Sequence, residues 1–117
     1  MATEQRCAVR LLVFGASLRE GSMNDRLATL AASIAEDKGA TVDRATMQEF
    51  ECRPYDMDVE ISKGMPSGAQ ALHDKLVGAD GFMIASPEYN ASMSGVLKNS
   101  IDWVSRFRPQ PFNGKRS

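Results

Sequence analysis

The 117-residue chain carries 14 Lys and Arg against 15 Asp and Glu, a net charge of −1, with 43% hydrophobic and 25% charged residues. This is ordinary composition for one globular core. It argues against nucleic acid or an anionic membrane as partner, since both select a basic face, and no apolar run approaches the roughly 20 residues that cross a bilayer. The N-terminus, MATEQRCAVR, lacks the basic-then-apolar layout of a secretory signal, so a cytoplasmic location is expected.

After a leader over residues 1–7, Ala8 to Phe14 reads as a strand apolar enough to be buried on both faces of a parallel sheet. Leu27, Leu30, Ala31, Ile34 and Ala35 recur at helical spacing, which predicts a helix from Asp25 to Lys38, ended by Gly39, with that stripe on the sheet. Thr41 to Met47 predicts a shorter second strand, and Gln48 to Pro66 an acidic, irregular loop near a ligand or a partner subunit. Asp56, Asp58 and Glu60 lack the glycine and closing glutamate of a calcium loop and read as a solvated face. Pro66 opens a second helix running to Gly78, with Leu72, Leu76 and Val77 as its buried stripe. A third strand follows from Asp80 (DGFMIAS), then a third helix with Val96, Leu97, Ile101 and Val104 on its packed face and Lys98–Asp102 as a surface ion pair. Alternating strands and helices with short connections predict an α/β fold whose parallel sheet has helices on both faces.

Chemistry-bearing side chains are few. Cys7 and Cys52 form no CxxC pair and have no histidine at ligand spacing, so both read as structural or incidental thiols and no metal is expected. His73, the only histidine, falls on the second helix facing solvent, which leaves a histidine-dependent triad without support.

Two stretches remain. Phe14 to Asn24, FGASLREGSMN, leaves the first strand and enters the first helix, where unpaired N–H groups and the helix dipole meet Ser17, Ser22, Asn24 and the positive Arg19. It is either an anion cradle or an ordinary helix start capped by Ser22 or Asn24; it matches neither a Walker loop nor the dinucleotide fingerprint. The second, from Ser86, contains Pro87-Glu88-Tyr89-Asn90, a stiff turn with an aromatic edge suited to a flat heterocycle, or else a plain connector. In doubly wound sheets ligands bind outside the carboxyl ends of the strands, so one ligand could lie across both loops.

Ser17 to Asn24, together with Pro87-Glu88-Tyr89-Asn90 and Gly95-x-Leu97-Lys98-Asn99-x-Ile101-Asp102-Trp103, resembles the NADPH-dependent FMN reductase family of the flavodoxin-like fold, with its quinone, chromate and azo-dye reductase relatives. The resemblance extends from about Val9 to Arg106. It implies a doubly wound, three-layer sheet with strand order 2-1-3, and FMN as cofactor. Ser17, Arg19, Ser22, Met23 and Asn24 would then hold the FMN phosphate, and Pro87, Glu88, Tyr89 and Asn90 would border the ring. It further implies NADPH or NADH as electron donor, a small-molecule acceptor, no catalytic acid or base, and a homodimer or homotetramer with Trp103 and the third helix at a subunit contact. An FMN-binding electron carrier, or a non-catalytic chain that assembles through its sheet edge, is the alternative. The chain departs from the family at Ala16, usually Gly, and at Ser94, usually Pro. It also ends at Ser117, before the family's fourth and fifth strands, which implies a single shortened domain over residues 1–117 that binds FMN weakly or folds only as an oligomer.

Overall fold

The structure, a computed structural model, describes residues 9–19, 21–87 and 94–112. Strands β1 (Arg10–Gly15), β2 (Thr41–Arg44) and β3 (Gly81–Ala85) form one parallel sheet in the order β2-β1-β3. Leu12 stands opposite Asp43 on one side and Phe82 on the other. Successive strand residues point to opposite faces, and the central strand therefore feeds two cores. Val13 joins Ala28 and Ala32 of helix α1 (Met23–Asp37) on one face. On the other face Leu12 and Phe14 join a larger cluster with helices α3 (Ser67–Val77) and α4 (Gly95–Val104), including Leu72, Leu76, Leu97 and Trp103. Helix, sheet, helix is the three-layer flavodoxin-like arrangement.

Local chemistry explains the boundaries. Ser22 caps α1, its Oγ accepting the Asp25 N–H at 3.1 Å. Asp56 caps a short helix, α2 (Met57–Lys63), by accepting the Asp58 N–H at 2.8 Å. On the larger core, Phe14 and Phe50 meet edge to face with centroids 5.0 Å apart, a pairing that contributes about 0.5–1.5 kcal/mol beyond its buried area.

Several sequence expectations change. The second strand stops at Arg44, and Met47–Phe50 forms a 3₁₀ helix because Met47 and Phe50 both turn into the larger core. The segment expected to be irregular from Gln48 to Pro66 therefore contains this turn and α2. Asn99 holds it down: its Nδ2 donates to the Cys52 and Arg53 carbonyls at 3.0 Å, and its Oδ1 accepts the Tyr55 N–H at 2.8 Å. Pro66 is the cap of α3 rather than its first residue, and Val77 is exposed. His73 is not a free surface residue, since its ring stacks on Phe107 at 4.2 Å. Trp103 is fully buried within this chain, donating its indole N–H to the Arg53 carbonyl at 2.7 Å, so it cannot serve at a subunit contact.

The largest correction concerns α1. Ala28 and Ala32 face the sheet, whereas Leu27, Leu30 and Ile34 are 55%, 57% and 49% exposed. Small residues let the helix approach Val13 closely, and the larger side chains of the stripe are left exposed. Leu27 and Ala31 line a groove of about 160 Å³ with Met83 and Ala85 of β3. No described helix is long and apolar enough to cross a membrane.

Candidate functional site

The carboxyl ends of β1 and β3 lie side by side. Gly15 pairs with Ala85, and the pairing continues one residue further, the Ala16 N–H donating to the Ala85 carbonyl at 2.7 Å. The loop holding Ser17 and Arg19, and the α1 N-terminus holding Ser22, Met23 and Asn24, thus stand at the rim where β3 also ends. Pro87, two residues beyond β3, is half-buried at the same rim. Glu88, Tyr89 and Asn90 lie outside the described residues.

The helix reaches this rim because Gly15 has no side chain. A Cβ there would stand 2.9 Å from the Asn24 carbonyl oxygen and 3.0 Å from Asp25 Cα, both backbone atoms. The first intrahelical bond of α1 is Arg26 N–H to the Ser22 carbonyl at 3.0 Å, so the N–H groups of Met23 and Asn24 have no acceptor within the helix. Ser22 is only 8% exposed and accepts the Asp25 N–H, which leaves its own hydroxyl proton available to donate. Ser17 is placed similarly, its Oγ accepting the Arg19 N–H at 3.2 Å. Arg19 and Met23 are exposed and Asn24 is half-buried. These groups belong to the loop that ends at the α1 N-terminus, where unpaired N–H groups and the helix dipole can hold an anion.

Three residues that support the loop carry no signal in the linear sequence. Arg44, at the end of β2, donates through Nη2 to Asp25 Oδ1 at 2.7 Å, to the Asp25 carbonyl at 3.0 Å and to Thr29 Oγ1 at 3.1 Å; its Nη1 donates to the Ala45 carbonyl. Asp25 in the first turn suits the dipole but would oppose an anion, and Arg44 offsets that charge. Gln48 donates through Nε2 to the Leu18 carbonyl at 2.5 Å. Ser94, the cap of α4, donates to the Ala16 carbonyl at 3.0 Å. Each contact joins segments that only the parallel pairing brings together.

A larger cavity of about 370 Å³ opens at the opposite rim, where the strands begin, lined by Arg10, Thr41, Asp43, Lys75 and Gly78. Lys75 and Asp43 already pair across it at 3.0 Å, and it lies far from these donors. No group of three His, Cys, Asp or Glu side chains gathers as metal ligands among the described residues.

Burial pushes the Cys52 thiol above its usual range, more than its hydrogen bond with Ser100 pulls it down. At pH 7 it is expected to be alkylated several-fold more slowly than Cys52 in the urea-unfolded chain, because the thiolate is the reacting form. Peptide mapping after brief iodoacetamide treatment checks this; equal labelling in both states would contradict the half-buried placement.

The sequence profile of the NADPH-dependent FMN reductase family matches residues 9–116. A quinone reductase of Escherichia coli strain K12 is 41% identical over 100 residues, covering 85% of this chain and 52% of that protein. An NAD(P)H-dependent FMN reductase of Pseudomonas aeruginosa is 36% identical over 107 residues, covering 92% of this chain and 56% of that protein. Among solved structures, the flavoenzyme NAD(P)H:(acceptor) oxidoreductase of Paracoccus denitrificans superposes with a TM-score of 0.74 at 28% identity, over 92% of this chain and 57% of that one. The chain thus spans about half the length of the curated relatives it matches.

Proposed function

We propose, from the premise that this chain belongs to the NADPH-dependent FMN reductase family, that its β1–α1 loop binds the phosphate of FMN as part of a flavin-dependent NAD(P)H oxidoreductase. One observation carries the reading: the open N-terminus of α1 stands beside the end of β3, with Ser17, Ser22, the Met23 and Asn24 N–H groups and Arg19 all at that rim. The donor set fits a phosphate dianion, since several hydrogen-bond donors and one guanidinium belong to a helix N-terminus where Asp25, the carboxylate of the first turn among the described residues, is held by Arg44. Bound there, FMN would supply hydride acceptance from NADPH or NADH and onward electron transfer. The protein's part is to hold and orient. Ser22 and Ser17 donate to phosphate oxygens while accepting backbone N–H bonds that fix their positions. Pro87, Glu88, Tyr89 and Asn90 border the ring, and no side chain is needed as a proton carrier.

The acceptor proposed is a quinone, free flavin, chromate or azo compound, and the relatives named as quinone and FMN reductases support the first two. The protein acts in the cytoplasm. It assembles as a homodimer or homotetramer, which the exposed Leu27, Leu30 and Ile34 of α1 and the outer edge of β3, without a second strand partner among the described residues, favour. The 117 residues form one domain, or the first part of one. A non-catalytic chain assembling through the same edge is the second reading, supported by that same exposed surface.

FMN titration followed by NADPH addition tests the proposal. Arg19→Ala is expected to weaken FMN about 10- to 100-fold, the range for losing a charge-assisted hydrogen bond, and to leave riboflavin affinity within about twofold. Equal weakening of both ligands would remove the phosphate assignment. A wild-type chain that stays colourless after FMN is added would favour the second reading.

A further inference from the structure

Ser94 is 3% exposed and lies 78 residues from its partner in the phosphate loop. Its hydroxyl is used twice. As donor it gives its proton to the Ala16 carbonyl at 3.0 Å; as acceptor it receives the Leu97 N–H at 3.4 Å, capping α4. Ala16 is itself fully buried, and its N–H is held by the Ala85 carbonyl at the end of β3. The Ala16 peptide groups are therefore clamped from two directions, by the strand that precedes the second loop and by the residue that follows it.

No buried side-chain oxygen or nitrogen among the described residues lacks a partner. A residue without a donor at position 94 would leave the Ala16 carbonyl facing an apolar interior, where an unpartnered group costs more than the bond contributes. The next residue after this carbonyl is Ser17, the first donor of the phosphate loop.

We propose that Ser94 is a positioning residue that sets the phosphate loop and the start of α4 as a single unit, so that the two ends of the flavin site keep a fixed separation. The proposal rests on the FMN reading for its consequence, but not for its structural content. Ser94 touches no ligand. Its hydroxyl acts through the Ala16 carbonyl on the loop, and its cap on α4 is a separate effect.

The two effects are separable by hydrogen exchange on the ligand-free chain. Ser94→Ala is expected to speed exchange of the Ala16 amide at least about fivefold, together with the α4 amides that lose their cap. Ser94→Gly, which retains most capping ability, is expected to leave α4 within about twofold while still speeding Ala16. Ser94→Thr keeps the hydroxyl and is expected to restore both. In FMN titrations Ser94→Ala and Ser94→Gly should each weaken binding about tenfold, the size of one buried hydrogen bond, with Ser94→Thr within about twofold of wild type. Unchanged exchange at Ala16 in both the Ala and Gly variants would overturn the proposal and leave Ser94 as a helix cap only. If the wild-type chain binds no FMN, the functional reading fails while the exchange result still decides the role of Ser94.

Discussion

Gly68→Ala is expected to destabilise the chain by at least about 3 kcal/mol, lowering its urea midpoint by about 1–3 M as followed by circular dichroism. Gly68 is the second residue of α3 and lies against the end of the 3₁₀ helix. A Cβ there would stand 2.3 Å from the Glu51 carbonyl oxygen and 2.8 Å from the carbonyl carbon and oxygen of Phe50. All three are backbone atoms, so no rotamer change relieves the contact and α3 must move away from Phe50. The sign of the result is informative. Helix propensity alone would make alanine more stable than glycine by up to about 1 kcal/mol. A variant as stable as wild type, or more so, would show that α3 and the 3₁₀ helix are not packed as closely as described.

Gly15→Ala should act on the site more than on the whole fold. The Asn24 carbonyl and Asp25 Cα must shift to admit a methyl group at 2.9–3.0 Å, which moves the α1 N-terminus off the rim. Overpacking of this kind costs about 1–3 kcal/mol, and the displaced atoms belong to the turn whose N–H groups are proposed to hold the phosphate. FMN affinity is expected to fall about 10- to 100-fold, with riboflavin less affected and the urea midpoint lowered by about 0.5–1.5 M at a slope of about 2 kcal/mol per M. Undiminished FMN binding would mean that the α1 N-terminus does not hold the phosphate.

The strand-to-helix loop from Phe14 to Asn24 was legible because its signals are local. Small residues, a cap and a change from strand to helix periodicity all fall within a few positions. Ser17 and Arg19 accordingly stand in the loop and Ser22 caps the helix as read, whereas Met23 and Asn24, expected in the loop, form the first turn of a helix that begins two residues early. The acidic segment from Gln48 to Pro66 misled because proline, glycine and carboxylates read as loop signals. In the folded chain Asp56 is a helix cap and Glu60 accepts from the Tyr55 hydroxyl at 2.8 Å and from Arg106. Arg44 and Gln48 were invisible for another reason. Their partners, Asp25 and Leu18, lie 19 and 30 residues away on a different element, and nothing in the spacing connects them.

The order of the three strands, the helices that follow β1 and β3, the loop that follows β1 and the family were determined by the sequence itself, since periodicity, caps and ordered motifs are properties of neighbouring residues. Which face of α1 meets the sheet was decided only in three dimensions. The stripe Leu27, Leu30, Ala31 and Ile34 announces an apolar surface that needs covering, but covering is a relation to other elements, and against the described three-stranded sheet it is Ala28 and Ala32 that pack. The same holds for Ser94 and Ala16: a buried hydroxyl finds its acceptor 78 residues away because parallel pairing of β1 with β3 places the two loops in contact, and no local pattern encodes that distance.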